Sequence, residues 1–188
     1  KRGFPENEFL IRNALVDMYA KCGLLLKARG MLEDICFRDV VSWNALISGY
    51  ALQGRCNEAL HCSRQMEREG LFPNAITFIS ILNACGRVGN INKGKRIHDD
   101  VVTRGWIGKD DALGSALVDM YGKCGLLSKA HETFEMIPIR NVVSWNALIT
   151  GYVDHGCFEE ALECSKQMES EGLMECIDCR LYTAGARS

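Results

Sequence analysis

The sequence predicts an all-α fold, a solenoid of stacked helix-turn-helix repeats. Three observations predict it. The chain is one large unit written almost twice: NALVDMYAKCGLLLKA at 13–28 returns as SALVDMYGKCGLLSKA at 115–130, and VVSWNALISGY at 40–50 returns as VVSWNALITGY at 142–152, both at an offset of 102 residues. Apolar side chains recur at spacings of one, three and four, which is the periodicity of one helical stripe. A glycine follows each stripe at a constant distance, where a helix stop belongs.

The unit divides into segments 9–39, 40–74, 75–110, 111–141 and 142–176, of 31, 35, 36, 31 and 35 residues; the first three together span the offset. Each opens with a helix A. Counted from the segment start, positions 7, 8 and 11 hold Leu15, Val16 and Tyr19; Leu46, Ile47 and Tyr50; Ile81, Leu82 and Cys85; Leu117, Val118 and Tyr121; Leu148, Ile149 and Tyr152. These side chains are expected in the core, with Trp43 and Trp145 at position 4 beside them. Position 15 is Gly23, Gly54, Gly89, Gly125 and Gly156, suited to a left-handed cap that closes helix A. Position 20 is Ala28, Ala59, Gly94, Ala130 and Ala161, small enough for helix B to approach its neighbour. Each helix is expected to have about 11–14 residues, or roughly 16–21 Å. One such hairpin cannot bury its stripe, but stacked hairpins can, with the A helices on one surface and the B helices on the other.

Composition narrows the function classes. Lys and Arg number 22 against 24 Asp and Glu, for a net charge of −2. No global basic field exists, so any nucleic-acid contact depends on local placement of groups such as Lys21, Lys123, Lys93, Lys95 and Arg96. The ten cysteines mostly fall inside amphipathic helices, where they read as small buried apolar residues in a reducing compartment. No apolar run reaches the roughly 18 residues that span a bilayer, so no membrane partner is expected. The chain begins with Lys and shows no signal or transit peptide, so it reads as a fragment.

Catalytic and metal patterns are missing, and neither a cofactor nor a metal is expected. Cys176 and Cys179 form a lone CxxC without a matched second pair. A cytidine deaminase needs HxE followed by PCxxC, whereas His131 and Glu132 are adjacent and no PCxxC follows. His61, His98 and His155 have no accompanying nucleophile pattern, and GRVGNINKGK lacks the GK[ST] ending of a phosphate loop. The chain is not expected to be an enzyme.

The repeats resemble a known family. VVSWNALISGY…EALHCSRQMEREGLFPN resembles the 35-residue pentatricopeptide repeat in its P form, NALVDMYAKCG…KA the short S form, and AITFISILNACGRVGNINKGKRIH the long L form. The resemblance covers 9–174. The order S, P, L, S, P is similar to the PLS class of plant organelle RNA-binding proteins. It implies a right-handed superhelix with 1–8 ending a preceding L-type repeat, 9–39 S, 40–74 P, 75–110 L, 111–141 S, 142–176 P, and an irregular tail at 177–188. It also implies one repeat per nucleotide of single-stranded RNA, read by the fifth and last residues of each repeat and walled by the second. The implied readers are Asn13 with Asp39, Asn44 with Asn74, Ile79 with Asp110, Ser115 with Asn141, and Asn146 with Cys176; Val41, Ile76 and Val143 would pack against bases. The implied preferences are uracil for Asn13/Asp39, cytosine or uracil for Asn44/Asn74, and adenine for Ser115/Asn141. Ile79 cannot hydrogen-bond, and Cys176 departs from the expected Asp or Asn. The implied setting is a mitochondrion or chloroplast, where the repeats position a transcript for C-to-U editing or another maturation step, with editing-complex proteins as further partners.

Elementary chemistry bears on the same positions. An amide at position 5 offers two donors and an acceptor to a base edge. Asp39, Asn74, Asp110 and Asn141 directly precede a helix A, where they also suit N-caps worth about 1 kcal/mol each. Position 2 is open between a staple contact and a stacking wall. The competing function for such an array is a protein-binding scaffold.

Overall fold

The computed structural model describes residues 6–173. Ten α-helices occupy them, with no strand among the described residues: α1 (Glu6–Lys21), α2 (Leu25–Glu33), α3 (Val40–Leu52), α4 (Cys56–Arg68), α5 (Ala75–Val88), α6 (Ile91–Thr103), α7 (Asp111–Lys123), α8 (Leu127–Glu135), α9 (Val142–Asp154) and α10 (Phe158–Ser170). Odd-numbered helices are the A helices and even-numbered ones the B helices of five successive hairpins. The tail 177–188, Cys176 and Cys179 lie outside the described residues.

The turn inside each hairpin is set by glycine. Gly23, Gly54, Gly89, Gly125 and Gly156 all take positive φ, between +66° and +78°. The next N–H then reaches back to a helix A carbonyl: Leu24 to Tyr19 at 2.8 Å, Arg55 to Tyr50 at 2.9 Å, Asn90 to Cys85 at 2.9 Å, Leu126 to Tyr121 at 3.0 Å and Cys157 to Tyr152 at 2.9 Å. That bond satisfies a carbonyl the helix end would orphan. Helix lengths depart from the expected range: α1 has 16 residues, while α2 and α8 have only 9. The cause is local. Helices α4, α6 and α10 have 13 residues and run into a second glycine, Gly70, Gly105 or Gly172; the hairpins with Asp39 and Asn141 have none there and drop a helical turn.

The A helices pack on one another in chain order, α1 on α3, α3 on α5, α5 on α7 and α7 on α9, while each B helix packs on its own A helix and the next. The stripe lies in one continuous core with Trp43, Trp145, Ala28, Ala59, Ala130 and Ala161. Only the outermost hairpins leave it half-buried, at Leu15, Tyr19 and Tyr152, where no further described hairpin covers them. Small residues set the A-helix spacing. A Cβ added at Gly151 would lie 3.0 Å from Gly122 Cα, and one at Gly49 would lie 2.6 Å from Ala20 Cβ. Gly94 replaces the recurrent alanine because Met120 fills its space, with Sδ only 2.4 Å from an added Cβ. Repetition of these contacts gives every hairpin the same register on its neighbour.

Candidate nucleic-acid interface

The first turns of α3, α5, α7 and α9 are built the same way. Asp39 accepts the Ser42 N–H at 2.8 Å, Asn74 the Thr77 N–H at 3.2 Å, Asp110 the Leu113 N–H at 3.0 Å, and Asn141 the N–H groups of Val143 and Ser144 at 2.9 and 3.0 Å. Ser42, Thr77 and Ser144 complete capping boxes by accepting the N–H of the cap residue. All four residues are therefore helix caps. Each cap uses one side-chain oxygen, Oδ1. The second carboxylate oxygen of an Asp, or the amide NH₂ of an Asn, stays outside the cap.

Beside the caps runs a row of aliphatic side chains. Leu10 is 64% exposed, Val41 65%, Ile76 58% and Val143 63%, and Ala112 continues the row. A staple contact would bury these side chains, and they are not buried.

Position 5 lies one helical turn further in and differs between hairpins. Asn44 is 7% exposed; its Nδ2 donates to Asn74 Oδ1 at 3.1 Å, and its Oδ1 accepts from the Thr77 hydroxyl at 2.6 Å. Asn44 and Asn74, from successive hairpins, thus form one polar unit. Asn13 Oδ1 is buried without a hydrogen-bond partner, an arrangement that costs about 1–3 kcal/mol unless something fills it. Ser115 is 2% exposed and donates to the Asp111 carbonyl at 2.8 Å, so its hydroxyl proton is used within α7. Ile79 and Asn146 are half-buried, and the residue paired with Asn146, Cys176, lies outside the described residues.

Comparison with known proteins places this architecture. A family model described as the PPR repeat family matches residues 38–87 and 140–174, and a second, described as the PPR repeat, matches 11–40, 76–106 and 115–142. The chain belongs to the pentatricopeptide repeat family. Among its Arabidopsis thaliana relatives, a mitochondrial pentatricopeptide repeat-containing protein is 38% identical over 93% of this chain and 31% of its own length; a chloroplastic one is 40% identical over 89% and 32%. The chain thus spans about a third of the length of these relatives. Among solved structures, the pentatricopeptide repeat protein PPR10 in complex with an 18-nt psaJ RNA element superposes with a TM-score of 0.76 at 22% identity, over 92% of this chain and 26% of that one. PPR10 from maize gives 0.64 at 20% identity, over 86% and 24%.

Within this pentatricopeptide repeat chain, a clamp not anticipated from the sequence holds two of the cap loops. The Trp43 indole N–H donates to Glu69 at 3.0 Å, and Arg38, the residue before Asp39, pairs with the same carboxylate while donating to the Leu32 carbonyl at 3.0 Å. The second copy joins Trp145 to Glu171 at 3.1 Å, and Arg140 lies 3.9 Å from Glu171 with its guanidinium 4.9 Å over Phe134. The offset of 102 between the two sets was the available signal. Leu10 and Ala112 were also missed, though both occupy position 2. Among the candidate cations, Lys21 and Lys123 in the last turns of α1 and α7 pair with Asp17 and Asp119 at 2.7 and 2.6 Å. Lys93, Lys95 and Arg96 sit on α6, a B helix. Among the described residues no cluster of His, Cys, Asp and Glu could hold a metal ion, and no helix is long and apolar enough to cross a membrane.

Proposed function

We propose that the face formed by the first turns of the A helices binds single-stranded RNA, one nucleotide per hairpin, within an organellar RNA-maturation factor of the PLS class. The observation that carries this reading is the row Leu10, Val41, Ile76 and Val143: an exposed aliphatic side chain at the same repeat position in four of the five hairpins, three of them beside a cap loop. Left in water, such side chains contribute nothing to the core. Set at the A-helix interval, they are apolar walls for the flat faces of unstacked bases.

The caps suggest the reading chemistry. Asp39 keeps a free carboxylate oxygen, an acceptor that suits the N3–H of uracil. Asn74 and Asn141 keep an NH₂ donor, which suits the unprotonated ring nitrogen of cytosine or adenine. Position 5 then selects ring size, with Asn13, Asn44 and Asn146 favouring a pyrimidine and Ser115 adenine, as the family resemblance implies. RNA runs 5′ to 3′ along the chain from N to C terminus. The psaJ RNA complex of PPR10 and the mitochondrial and chloroplastic relatives support this reading, and the repeat order supports a role in C-to-U editing or related maturation, with catalysis elsewhere.

The test is anisotropy titration of short single-stranded RNAs differing at one base. Asn44→Thr, with Asn74 kept, shifts preference at one nucleotide from pyrimidine toward adenine. Absence of binding at low salt in a still-helical protein would overturn the reading and leave the protein-binding scaffold.

A further inference from the structure

The second and third hairpins meet at a pair of thiols. Cys56 Sγ lies 3.0 Å from Cys85 Sγ, and both residues are buried. Cys56 is the first residue of α4 and Cys85 lies in the last turns of α5, so the pair bridges successive hairpins. The equivalent places at the other junctions hold an aliphatic residue and a tyrosine: Leu25 with Tyr50, Ile91 with Tyr121, and Leu127 with Tyr152. At this junction alone both positions are cysteine.

The surroundings favour one sulfur as nucleophile. Cys56 opens a helix whose N-cap, Arg55, provides no side-chain cap, so the positive end of the helix dipole lies at this thiol. The ammonium of Lys93 is bonded to the neighbouring Asn57. The hydrogen bond from Cys85, with Lys93 adding to it, holds the Cys56 thiol below its ordinary range; donating that bond and burial push Cys85 up.

We infer that Cys56 and Cys85 are a disulfide-forming modification site, closed by a hydroperoxide, that staples the second hairpin to the third. The hydroperoxide is hydrogen peroxide, the smallest of its class. The Cys56 thiolate attacks one peroxide oxygen, breaking the O–O bond and forming a sulfenic acid, while the released hydroxide takes a proton. Cys85 sulfur then attacks Cys56 sulfur, and the sulfenic hydroxyl leaves as water with the Cys85 proton. Two thiols are oxidised, and one peroxide is reduced to two waters.

The experiment treats the whole chain with substoichiometric hydrogen peroxide, alkylates the remaining thiols, and maps peptides by mass spectrometry beside a thermal melt. The expected result is a linked Cys56–Cys85 peptide, lost on reduction, with Tm raised by about 7–14 °C, as a loop of this length implies. Recovery of both cysteines as alkylated peptides, while exposed Cys22 and Cys36 are oxidised, would overturn the inference. So would an equal rise in Tm for a folded Cys56→Ser variant.

Discussion

Substituting Gly49→Ala probes the stacking of the A helices. The added Cβ would lie 2.6 Å from Ala20 Cβ, 3.0 Å from Leu25 Cδ2 and 3.1 Å from Ala20 Cα. Carbon atoms rest at about 3.5–4.0 Å, so α3 must move off α1 by roughly 1 Å. Overpacking of this kind costs about 1–3 kcal/mol, against a helix-propensity gain of about 1 kcal/mol for replacing glycine. Gly30→Ala is the matched control: Gly30 is inside α2, and nothing lies within 4 Å of its added Cβ. It keeps the gain of about 1 kcal/mol without the clash. Gly49→Ala is therefore less stable than Gly30→Ala by about 1–3 kcal/mol, which separates their thermal midpoints by roughly 3–9 °C in a chain of this size. Parallel melts followed by circular dichroism measure it. Equal stabilisation by both substitutions would refute the claim that small residues at this seam set the spacing between hairpins.

Other predictions follow from the same contacts. Glu69→Ala removes the acceptor of the Trp43 indole and the partner of Arg38, and costs about 1–3 kcal/mol in a denaturant melt. Asp39→Ala deletes a cap and costs about 1 kcal/mol, whereas Asp39→Asn retains the cap and is close to neutral, as urea titration would report. The buried His98 imidazole bonds to the Tyr121 hydroxyl at 2.7 Å, and burial holds its pKa below the ordinary 6.5. The unfolded chain thus takes up a proton that the folded chain refuses. Stability is intact above about pH 6.5 and declines as pH falls below it; His98→Gln flattens that slope in melts collected from pH 7.5 to 5.

Much of the fold was legible because each signal is local. The stripe at positions 7, 8 and 11, the closing glycine and the preceding Asp or Asn each act within a few residues, so periodicity and spacing expose them. Helix B was less legible: the missing turn of α2 and α8 depends on where Gly70, Gly105 and Gly172 fall, outside the stripe. The candidate face was legible only in part. Capping by Asp39, Asn74, Asp110 and Asn141 follows from their place before a helix. The exposure of Val41, Ile76 and Val143 does not, because it depends on how neighbouring hairpins stack. Contacts that join distant segments were not legible as contacts: the offset of 102 repeats the clamp residues but does not say that they meet. Asn44 meets Asn74 and Thr77, Glu69 meets Arg38 and Trp43, and Cys56 meets Cys85 only once the solenoid has closed. Ser115 shows the reverse case: its polar hydroxyl at position 5 suggests an open reader, yet it bonds back within its own helix.

The most direct measurement of the central claim is the base preference of Asp39→Asn, titrated against RNAs varied at each nucleotide in turn. Exchanging a carboxylate acceptor for an amide donor shifts preference from uracil to cytosine at one nucleotide and leaves its neighbours unchanged. A uniform change of affinity across all positions, or a shift spread over several nucleotides, would contradict reading by one hairpin per base.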